Sequence, residues 1–370
     1  MRDRLEPVLE VAERHAAQVD TEGRFPAEAL EALVASGLMG LTLPRADGGL
    51  GAGPPEFVEV TSALAAACGS TSLIYLMHVS AAMVVAAAPP PRTPEALRRL
   101  AAGDLLGTLA FSERGSRSHF WAPVSRAVAE NGGMRLRAEK SFVTSAGHAG
   151  LYVVSTGAST GNGAVDLYAL PGDVAGLEVA GPWRGLGMRG NASSPMAVDS
   201  VIDGDLRLGS EGQGFQLMMD VVLPWFNLGN AAVSVGLASA AVEGATRHVI
   251  GSRLEHLGQS LAEIPAVRAR LARMRIALDA QRAYLRHAAA SMAAPSDETL
   301  LHVLGVKASA NDAAVTITDE AMRVCGGAAF ASHVGVERPF RDARAGHVMA
   351  PTADVLYDFY GKAITGQELF

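Results

Sequence analysis

The sequence predicts an α+β protein built as three consecutive blocks: a helical N-terminal domain, a central antiparallel β domain and a C-terminal four-helix bundle. Apolar residues recur at helical spacing near both ends of the chain, whereas between the ends they alternate or form short runs bounded by turn residues. Of the 370 residues, 49% are hydrophobic and 19% charged, which is enough apolar material for a large core. We place the domains at residues 1–104, 105–210 and 211–370.

The N-terminal block reads as a series of helices. Apolar residues between Leu5 and Val11 recur at helical spacing, and Pro26 lies near the start of a second helix. Residues 60–91 contain no Asp, Glu, Lys or Arg, and this run is long enough to span a bilayer. Because residues 69–72, Gly-Ser-Thr-Ser, combine a helix stop with N-cap residues, we predict two buried helices instead, and no membrane association.

The central block has the pattern of short strands. Residues 134–138 alternate between apolar and polar side chains, and residues 151–154 form a short apolar run. Asn131 and Gly132 both tolerate a positive φ, so the pair indicates a hairpin. No segment here is convincingly helical, and we therefore predict an antiparallel sheet domain.

The C-terminal block returns to helical spacing. Its clearest apolar stripe consists of Val303, Val306, Ala310, Ala313, Ile317, Ala321 and Val324. Gly326 and Gly327 close this stripe, as glycines often do at a helix C-terminus. Alanine and glycine are frequent on these helices and permit close packing between them.

Composition argues against several functional classes. The formal net charge is −7 and there are no blocks of Lys or Arg, so the chain is a poor nucleic-acid binder. Cys68 and Cys325 are the two cysteines, without a CxxC motif or a Cys/His ligand set, so we predict no metal site. Residues 1–18 are charged and amphipathic, unlike a signal peptide, which favours the cytoplasm.

Residues 185–190, GLGMRG, match G-x-G-x-x-G literally. A dinucleotide-binding loop must follow a strand and open a helix, so that the pyrophosphate meets the helix N-terminus. Here Pro195 and Gly204 follow, and the intervening residues alternate like a strand. We therefore do not interpret this motif as a Rossmann fingerprint.

A set of short segments occurs in a fixed order along nearly the whole chain. They are residues 43–51 (LPRADGGLG), 110–118 (AFSERGSRS), 140–146 (KSFVTSA), 187–193 (GMRGNAS), 208–215 (LGSEGQGF), 326–327 (GG) and 338–344 (RPFRDAR). Each is a weak signal alone, but together and in this order they resemble the acyl-CoA dehydrogenase superfamily of flavoproteins. The family usually has Glu at the position of Arg45.

This resemblance implies an acyl-CoA dehydrogenase-like fold with the same α–β–α order, assembled as a homodimer or homotetramer. It also implies an FAD-dependent oxidoreductase acting on CH–CH groups, with non-covalent FAD held at a dimer interface. Flavin chemistry needs hydrogen bonds to the pyrimidine edge and to N5. By motif position the cofactor-binding residues would be Phe111 and Ser112 at the pyrimidine edge, Phe142 and Thr144 beside the ring and N5, Ser118 at the pyrophosphate, Thr352 near the adenosine, and Arg253, Gly326 and Gly327 toward the FAD of the other subunit.

The family's catalytic base is missing from both of its usual positions. The reaction removes an α proton from an acyl thioester while a β hydride goes to flavin N5, and a Glu usually accepts the proton. In register with the R-D pair, Ala350 occupies that position. In members that carry the Glu on the first bundle helix, it precedes an Arg that helps hold CoA; here those two positions are Phe226 and Asn227.

Three hypotheses remain open. The chain dehydrogenates an acyl thioester on CoA or on an acyl carrier protein with an atypical base, for which the nearest groups by sequence are His347, Asp220, Glu113 and Asp354. Alternatively, it is a flavin-dependent monooxygenase on the same fold, a branch that often has a His after the R-D pair. In the third hypothesis it is a non-catalytic subunit of a hetero-oligomeric dehydrogenase. Trp225 and Phe226 lie where the acyl pocket would be and could narrow it.

Overall fold

The N-terminal domain is helical. The structure, a computed structural model, describes residues 1–116 and 119–369. The first helices are α1 (Arg2–Glu22), α2 (Ala27–Ser36), α3 (Pro54–Ala67), α4 (Gly69–Ala87) and α5 (Ala96–Ala102). The uncharged run is divided as predicted, because α3 ends at Ala67 and α4 begins at Gly69.

Within the part of the chain that the structure describes, two helical segments are long and apolar enough to cross a membrane, by length and composition alone. They are α4 and the continuous helix Gly214–Gly251, and 83% of the most apolar window of each is buried inside the fold. Both are therefore core helices of this domain arrangement, as predicted for the uncharged run.

The central domain consists of β1 (Gly107–Ala110), β2 (Val128–Glu130), β3 (Gly133–Val143), β4 (Leu151–Gly157), β5 (Val165–Pro171), β6 (Leu177–Val179) and β7 (Ser194–Ile202). One sheet has the order β1-β4-β5 and the other β2-β3-β7-β6. The predicted hairpin joins β2 to β3, with Asn131 at φ 51° and Gly132 at φ 79°.

The prediction of a purely antiparallel domain is wrong at one strand pair. β1 pairs with β4 in parallel, from Gly107 opposite Leu151 to Ala110 opposite Val154. Between them the chain passes through β2 and β3 in the other sheet, and this long connection allows β4 to return in the direction of β1.

The C-terminal domain is a helical bundle. It contains α6 (Gly214–Leu217), a π turn (Met218–Val222), α7 (Leu223–Gly251), the short strands β8 (Arg253–Leu254) and β9 (Gln259–Ser260), α8 (Pro265–Ala293), α9 (Thr299–Cys325), α10 (Glu337–Val348) and α11 (Ala353–Ile364). Glycines let this bundle pack against the N-terminal helices, since a Cβ on Gly229 would overlap Leu76 and one on Gly236 would overlap the Ser62 carbonyl.

The G-x-G-x-x-G segment lies in the loop between β6 and β7, and a strand follows it. Gly187 packs against the backbone of Arg341, where a Cβ would clash. Asp342 accepts a hydrogen bond of 2.6 Å from the Met188 amide. This loop therefore docks the β domain on α10 and is not a dinucleotide-binding turn.

Candidate active site

A cavity of about 940 Å³ lies where the three domains meet. One wall comes from the β domain and the other from α4, the start of α7 and the end of α10. Five residues predicted to bind flavin line it, namely Phe111, Ser112, Phe142, Thr144 and Thr352, together with Ala350. A volume of this size is in the range of ligand sites in proteins.

The β-domain wall presents hydroxyl groups in fixed positions. Thr144 Oγ1 lies 3.0 Å from Ser193 Oγ, and the Thr144 carbonyl accepts a 2.7 Å hydrogen bond from Thr108 Oγ1. The Ser112 carbonyl accepts a 2.8 Å bond from the Ser141 amide, which joins the end of β1 to β3. These bonds between neighbouring segments hold the hydroxyls of Ser112, Thr144 and Ser193 on one wall.

Phe142 has an unusual backbone conformation at this wall. The register of β3 against β7 shifts between Lys140 and Val143, and within this bulge Phe142 has φ 55°. A bulky residue rarely adopts a positive φ, and such strain persists where the surrounding structure imposes it, often at ligand sites. Its side chain is 70% exposed, and its ring lies edge-on to Trp183 at 6.5 Å.

A buried ion pair supports the bulge from below. Lys140 Nζ donates to Glu113 Oε1 at 2.6 Å and to the Ser155 carbonyl at 2.6 Å, and both charged side chains are almost fully buried. Burial lowers the pKa of Lys140 to about 8, and the Glu113 carboxylate opposes this shift. Burial raises the pKa of Glu113, but Lys140 and Ser125 outweigh it and keep that pKa below its ordinary value. Glu113 is thus a structural anion, poorly suited to accept a substrate proton.

The opposite wall includes Ala350, the position at which the resemblance places the family's Glu. Ala350 follows α10 and lines the cavity with a methyl group, which cannot accept a proton. Apolar residues surround it, namely Leu73 and Met77 on α4, Val222 and Phe226 near the start of α7, and Met349 after α10, whereas Arg341 and Arg344 of α10 also line this side. The apolar part of this wall suits an alkyl chain better than a charged group.

Phe226 lines the cavity at this wall, whereas Trp225 does not line it and packs against the N-terminal domain. The Trp225 ring lies 5.4 Å from the Phe57 ring in an edge-on contact. Asn227 is fully buried, and neither polar atom of its side chain has a hydrogen-bond partner among the described residues. The predicted substitution of the family's Glu-Arg pair thus leaves no cation on this stretch of α7.

His347 and Asp220 do not line the cavity. The cavity face of α10 consists of residues 341, 344, 345 and 348, so a side chain at 347 points away. His347 Nδ1 instead lies 3.2 Å from Asp312 Oδ1 on α9. Asp220 is exposed in the π turn, two residues before Val222 and on the opposite side of the helix.

The remaining predicted cofactor residues lie outside the cavity. Arg253 is exposed on β8 and donates to the Gly258 carbonyl at 2.9 Å. A Cβ on Gly326 or Gly327 would meet no atom within 4 Å, so both glycines face open space at the end of α9. Ser118 falls outside the described residues.

A second recess of about 490 Å³ lies between the segment after residue 118 and α11. It is lined by His119, Trp121, Asp354, Val355, Asp358, Phe359, Lys362 and Leu369. Asp354, one of the groups considered as a base, faces this recess and does not line the main cavity. Thr352 Oγ1 accepts from the Val355 amide at the start of α11.

The main cavity fits a flavin ring. A flavin requires hydrogen-bonding groups at its polar edge and apolar contacts elsewhere. The hydroxyls of Ser112, Thr144 and Ser193 provide the former, and the rings of Phe142 and Trp183 provide the latter. Within residues 1–116 and 119–369, no three His, Cys, Asp or Glu side chains are grouped to hold a metal ion.

Sequence reasoning missed part of this cavity. Leu73 and Met77 are spaced i, i+4 on a helix that is apolar all around, so no pattern separates them from core residues. Arg344 lines the cavity, donates to Thr318 Oγ1 at 2.9 Å and stacks on the Phe340 ring at 3.7 Å. Its place at the end of the R-D-x-R segment was the available signal.

Comparison with known proteins identifies related sequences along the whole chain. The acyl-CoA dehydrogenase N-terminal domain model matches residues 6–104, the middle domain model residues 108–201 and the C-terminal domain model residues 212–365. Cyclohex-1-ene-1-carbonyl-CoA dehydrogenase of Geobacter metallireducens is 27% identical over 369 residues, covering 97% of this chain and 96% of that protein. Bovine (Bos taurus) mitochondrial short-chain specific acyl-CoA dehydrogenase is 28% identical, covering 92% and 83% respectively.

A solved structure has the same fold. Butyryl-CoA dehydrogenase from Megasphaera elsdenii superimposes with a TM-score of 0.90 over 99% of both chains, at 22% sequence identity. This similarity confirms the predicted arrangement of helical, β and helical domains.

Proposed function

Because the chain belongs to the acyl-CoA dehydrogenase family, we propose that it is an FAD-dependent oxidoreductase that dehydrogenates an acyl thioester between its α and β carbons without the usual glutamate. The thioester would be carried by CoA or, as we favour, by an acyl carrier protein. The reaction class follows from the family, whereas the carrier and the atypical base are specific to this proposal.

The observation that carries the proposal is the cavity with two unlike walls. The β-domain wall offers hydroxyls and the strained Phe142, which suit a flavin ring, and the facing wall of Leu73, Met77 and Phe226 suits an alkyl chain. A substrate between a flavin and this wall would have its α and β carbons near position 350. A bound flavin would supply the acceptor for the β hydride.

The residues of this chain would bind and orient the reactants. Because one hydroxyl of the Thr144–Ser193 pair donates to the other, the second hydroxyl would be free to donate to the flavin edge. The Lys140–Glu113 pair would keep the bulge beneath the ring in place. The apolar wall would exclude water from the reacting carbons. Ala350 cannot accept the proton from the α carbon, so the proposed reaction requires a proton acceptor other than the residue at position 350.

Asn227 favours a carrier-linked substrate. By resemblance, the Arg that helps hold CoA in some family members stands at this position. Here the side chain is fully buried and uncharged, so it offers no contact to the phosphates of CoA. The phosphopantetheine arm of a carrier protein carries a thioester without the adenosine phosphates.

Ala350 also supports a second candidate, a flavin-dependent monooxygenase. In such an enzyme reduced flavin reacts with oxygen, and no α-proton base is needed.

The proposal also includes a cytoplasmic dimer or tetramer, in which Arg253, Gly326 and Gly327 contact the flavin of the partner subunit. The open surroundings of both glycines and the 92% exposed Phe330 beside them support such an interface.

Anaerobic titration of the FAD-loaded protein tests the proposal. Acyl-CoA and acyl-carrier thioesters of increasing chain length are added, and flavin reduction is followed by visible absorbance. Reduction by a carrier thioester with little reduction by the matching CoA ester supports the proposal. Flavin that no thioester reduces, but that consumes oxygen when reduced by a separate reductase, favours the monooxygenase. Protein that binds no flavin alone favours a subunit of a hetero-oligomer.

A further inference from the structure

A buried lysine bonds to the backbone on both sides of Ala350, the position at which the family's usual base is absent. Lys307 on α9 has no exposed surface, and its Nζ donates to the Met349 carbonyl at 3.0 Å and to the Pro351 carbonyl at 2.5 Å. These carbonyls flank Ala350 on both sides. The lysine is therefore bonded to the backbone immediately before and after the cavity residue at position 350.

Neighbouring side chains extend this support. Asn311 lies one helical turn after Lys307 and donates from Nδ2 to the Gly346 carbonyl at 2.8 Å. Its Oδ1 accepts from Ser234 Oγ on α7 at 2.7 Å. Asn230, also on α7, places Nδ2 3.7 Å from Met349 Sδ. Because positions 307 and 311 share one face of α9, the hydrogen bonds from α9 to the backbone of residues 346–351 all come from that face.

Lys307 forms no ion pair with any of the described residues, and burial is the one influence that shifts its pKa. Its Nζ lies 5.8 Å from the centre of the Phe226 ring. Burial lowers the pKa of Lys307 to about 7, whereas the two carbonyl bonds favour the ammonium form. Burying an ammonium group is costly unless hydrogen bonds compensate it, and the two carbonyls supply those bonds here.

The carbonyls explain why a strong donor is needed here. α10 ends at Val348, so the carbonyls that follow have no partner within the helix. The Met349 and Pro351 carbonyls face the fully buried side chain of Lys307, and an unpaired carbonyl in such a place would be destabilising. The ammonium group has three donors and satisfies two carbonyls at once.

We propose that Lys307 is a positioning residue for the reaction: by bonding the Met349 and Pro351 carbonyls it fixes the cavity wall at position 350 against the reacting acyl carbons. Lys307 is not the base, because Nζ points to these carbonyls and does not line the cavity. The catalytic part of this inference rests on the proposed function, whereas the ordering of the segment does not.

The test compares Lys307→Met with Val303→Ala in the FAD-loaded protein. Val303 is one turn earlier on α9 and equally buried, but makes no bond to the segment, so its truncation serves as a matched control for lost core stability. Lys307→Gln, which keeps an uncharged N–H donor group, replaces the Met variant if that one does not fold. Amide hydrogen exchange of a peptide covering 346–353 and the visible circular dichroism of bound flavin are measured in each.

We expect Lys307→Met to raise exchange in residues 349–353 by about 10-fold or more, and to change the flavin signal, while Val303→Ala changes neither. With a reducing thioester, the maximal rate of flavin reduction should fall by about 100-fold, as for a misplaced reacting group, with a smaller change in the half-saturating concentration. Equal exchange and equal reduction rates in the Lys307 and Val303 variants would overturn the inference. If no thioester reduces the wild-type flavin, the proposed function fails, and exchange and the flavin signal still decide the positioning role.

Discussion

Lys140→Met tests the buried ion pair under the β3 bulge that carries Phe142. The substitution keeps an unbranched side chain but removes the ammonium that donates to Glu113 Oε1 and to the Ser155 carbonyl, each at 2.6 Å. The Glu113 carboxylate would remain buried without its cation, although it still accepts from the Val124 and Ser125 amides at 2.6 and 2.8 Å.

The expected loss follows from these contacts. Removing one partner of a buried ion pair typically costs about 3–5 kcal/mol, because the other charge stays buried and unpaired. Since the two amides remain bonded to Glu113, we expect the lower end, about 3 kcal/mol. The pKa of Glu113 should also rise once Lys140 no longer lowers it. The double variant Lys140→Met/Glu113→Gln removes the stranded charge and should recover about 1 kcal/mol or more.

The assay is urea unfolding at neutral pH, followed by the fluorescence of the three tryptophans, with FAD affinity measured in parallel. Arg275→Met is the matched control: it breaks a 2.9 Å ion pair with Asp279 on the surface of α8, where solvent screening leaves such a pair with little effect on stability. If Lys140→Met costs no more than Arg275→Met, or if the double variant is as unstable as the single one, the ion pair does not anchor the bulge.

Three further predictions concern the cavity and its docking loop. Thr144→Val removes the hydroxyl that lies 3.0 Å from Ser193 Oγ, and should raise the Kd for FAD or slow its reduction; an unchanged Kd and rate would exclude Thr144 from the site. Ala350→Glu should introduce or increase acyl-CoA oxidation, measured by flavin bleaching, and no gain would mean that the pocket has diverged beyond its base. Burial raises the pKa of Asp342 to about 6, so the stability from this group is full at low pH and lost as pH rises through that value. Asp342→Asn keeps an acceptor for the Met188 amide but cannot ionise. As pH rises from about 4 to about 8, its free energy of unfolding should therefore increase relative to that of wild type by up to about 3 kcal/mol. A difference in free energy of unfolding that is the same at both pH values would contradict this.

The sequence predicted those parts of the fold that depend on the conformational preferences of a few neighbouring residues. Asn131-Gly132 sets the β2–β3 hairpin through two positive φ values, and the Gly69 segment divides the uncharged run into α3 and α4. The parallel pairing of β1 with β4 could not be predicted in this way, because their partners are more than 40 residues apart and no local pattern encodes the direction of return.

The lining of the cavity could be predicted for residues that belong to a sequence motif. It could not be predicted for helical residues, because their direction depends on where they lie around the helix. Phe142 and Thr144 line it, as the motif implied. His347 was considered because it is close in sequence to Ala350, but the turn of α10 directs it to Asp312. Lys307 lies within a stripe that reads as apolar core, and its role depends on two carbonyls more than 40 residues away.

The contact of three residues with the flavin of a partner subunit remains a prediction for a different reason. Arg253, Gly326 and Gly327 lie on the surface of the single chain, and only a partner subunit could complete a site around them. Size measurement in solution together with FAD stoichiometry would test this: one FAD per chain in a dimer or larger assembly agrees with the prediction, and a monomer that binds FAD fully contradicts it.

The proposed dehydrogenation of an acyl thioester is tested most directly by the visible spectrum of the FAD-loaded protein during anaerobic addition of acyl-CoA and acyl-carrier thioesters. We expect stoichiometric bound flavin whose visible absorbance is bleached by at least one carrier-linked thioester. Bound flavin that no thioester of either kind bleaches would contradict it.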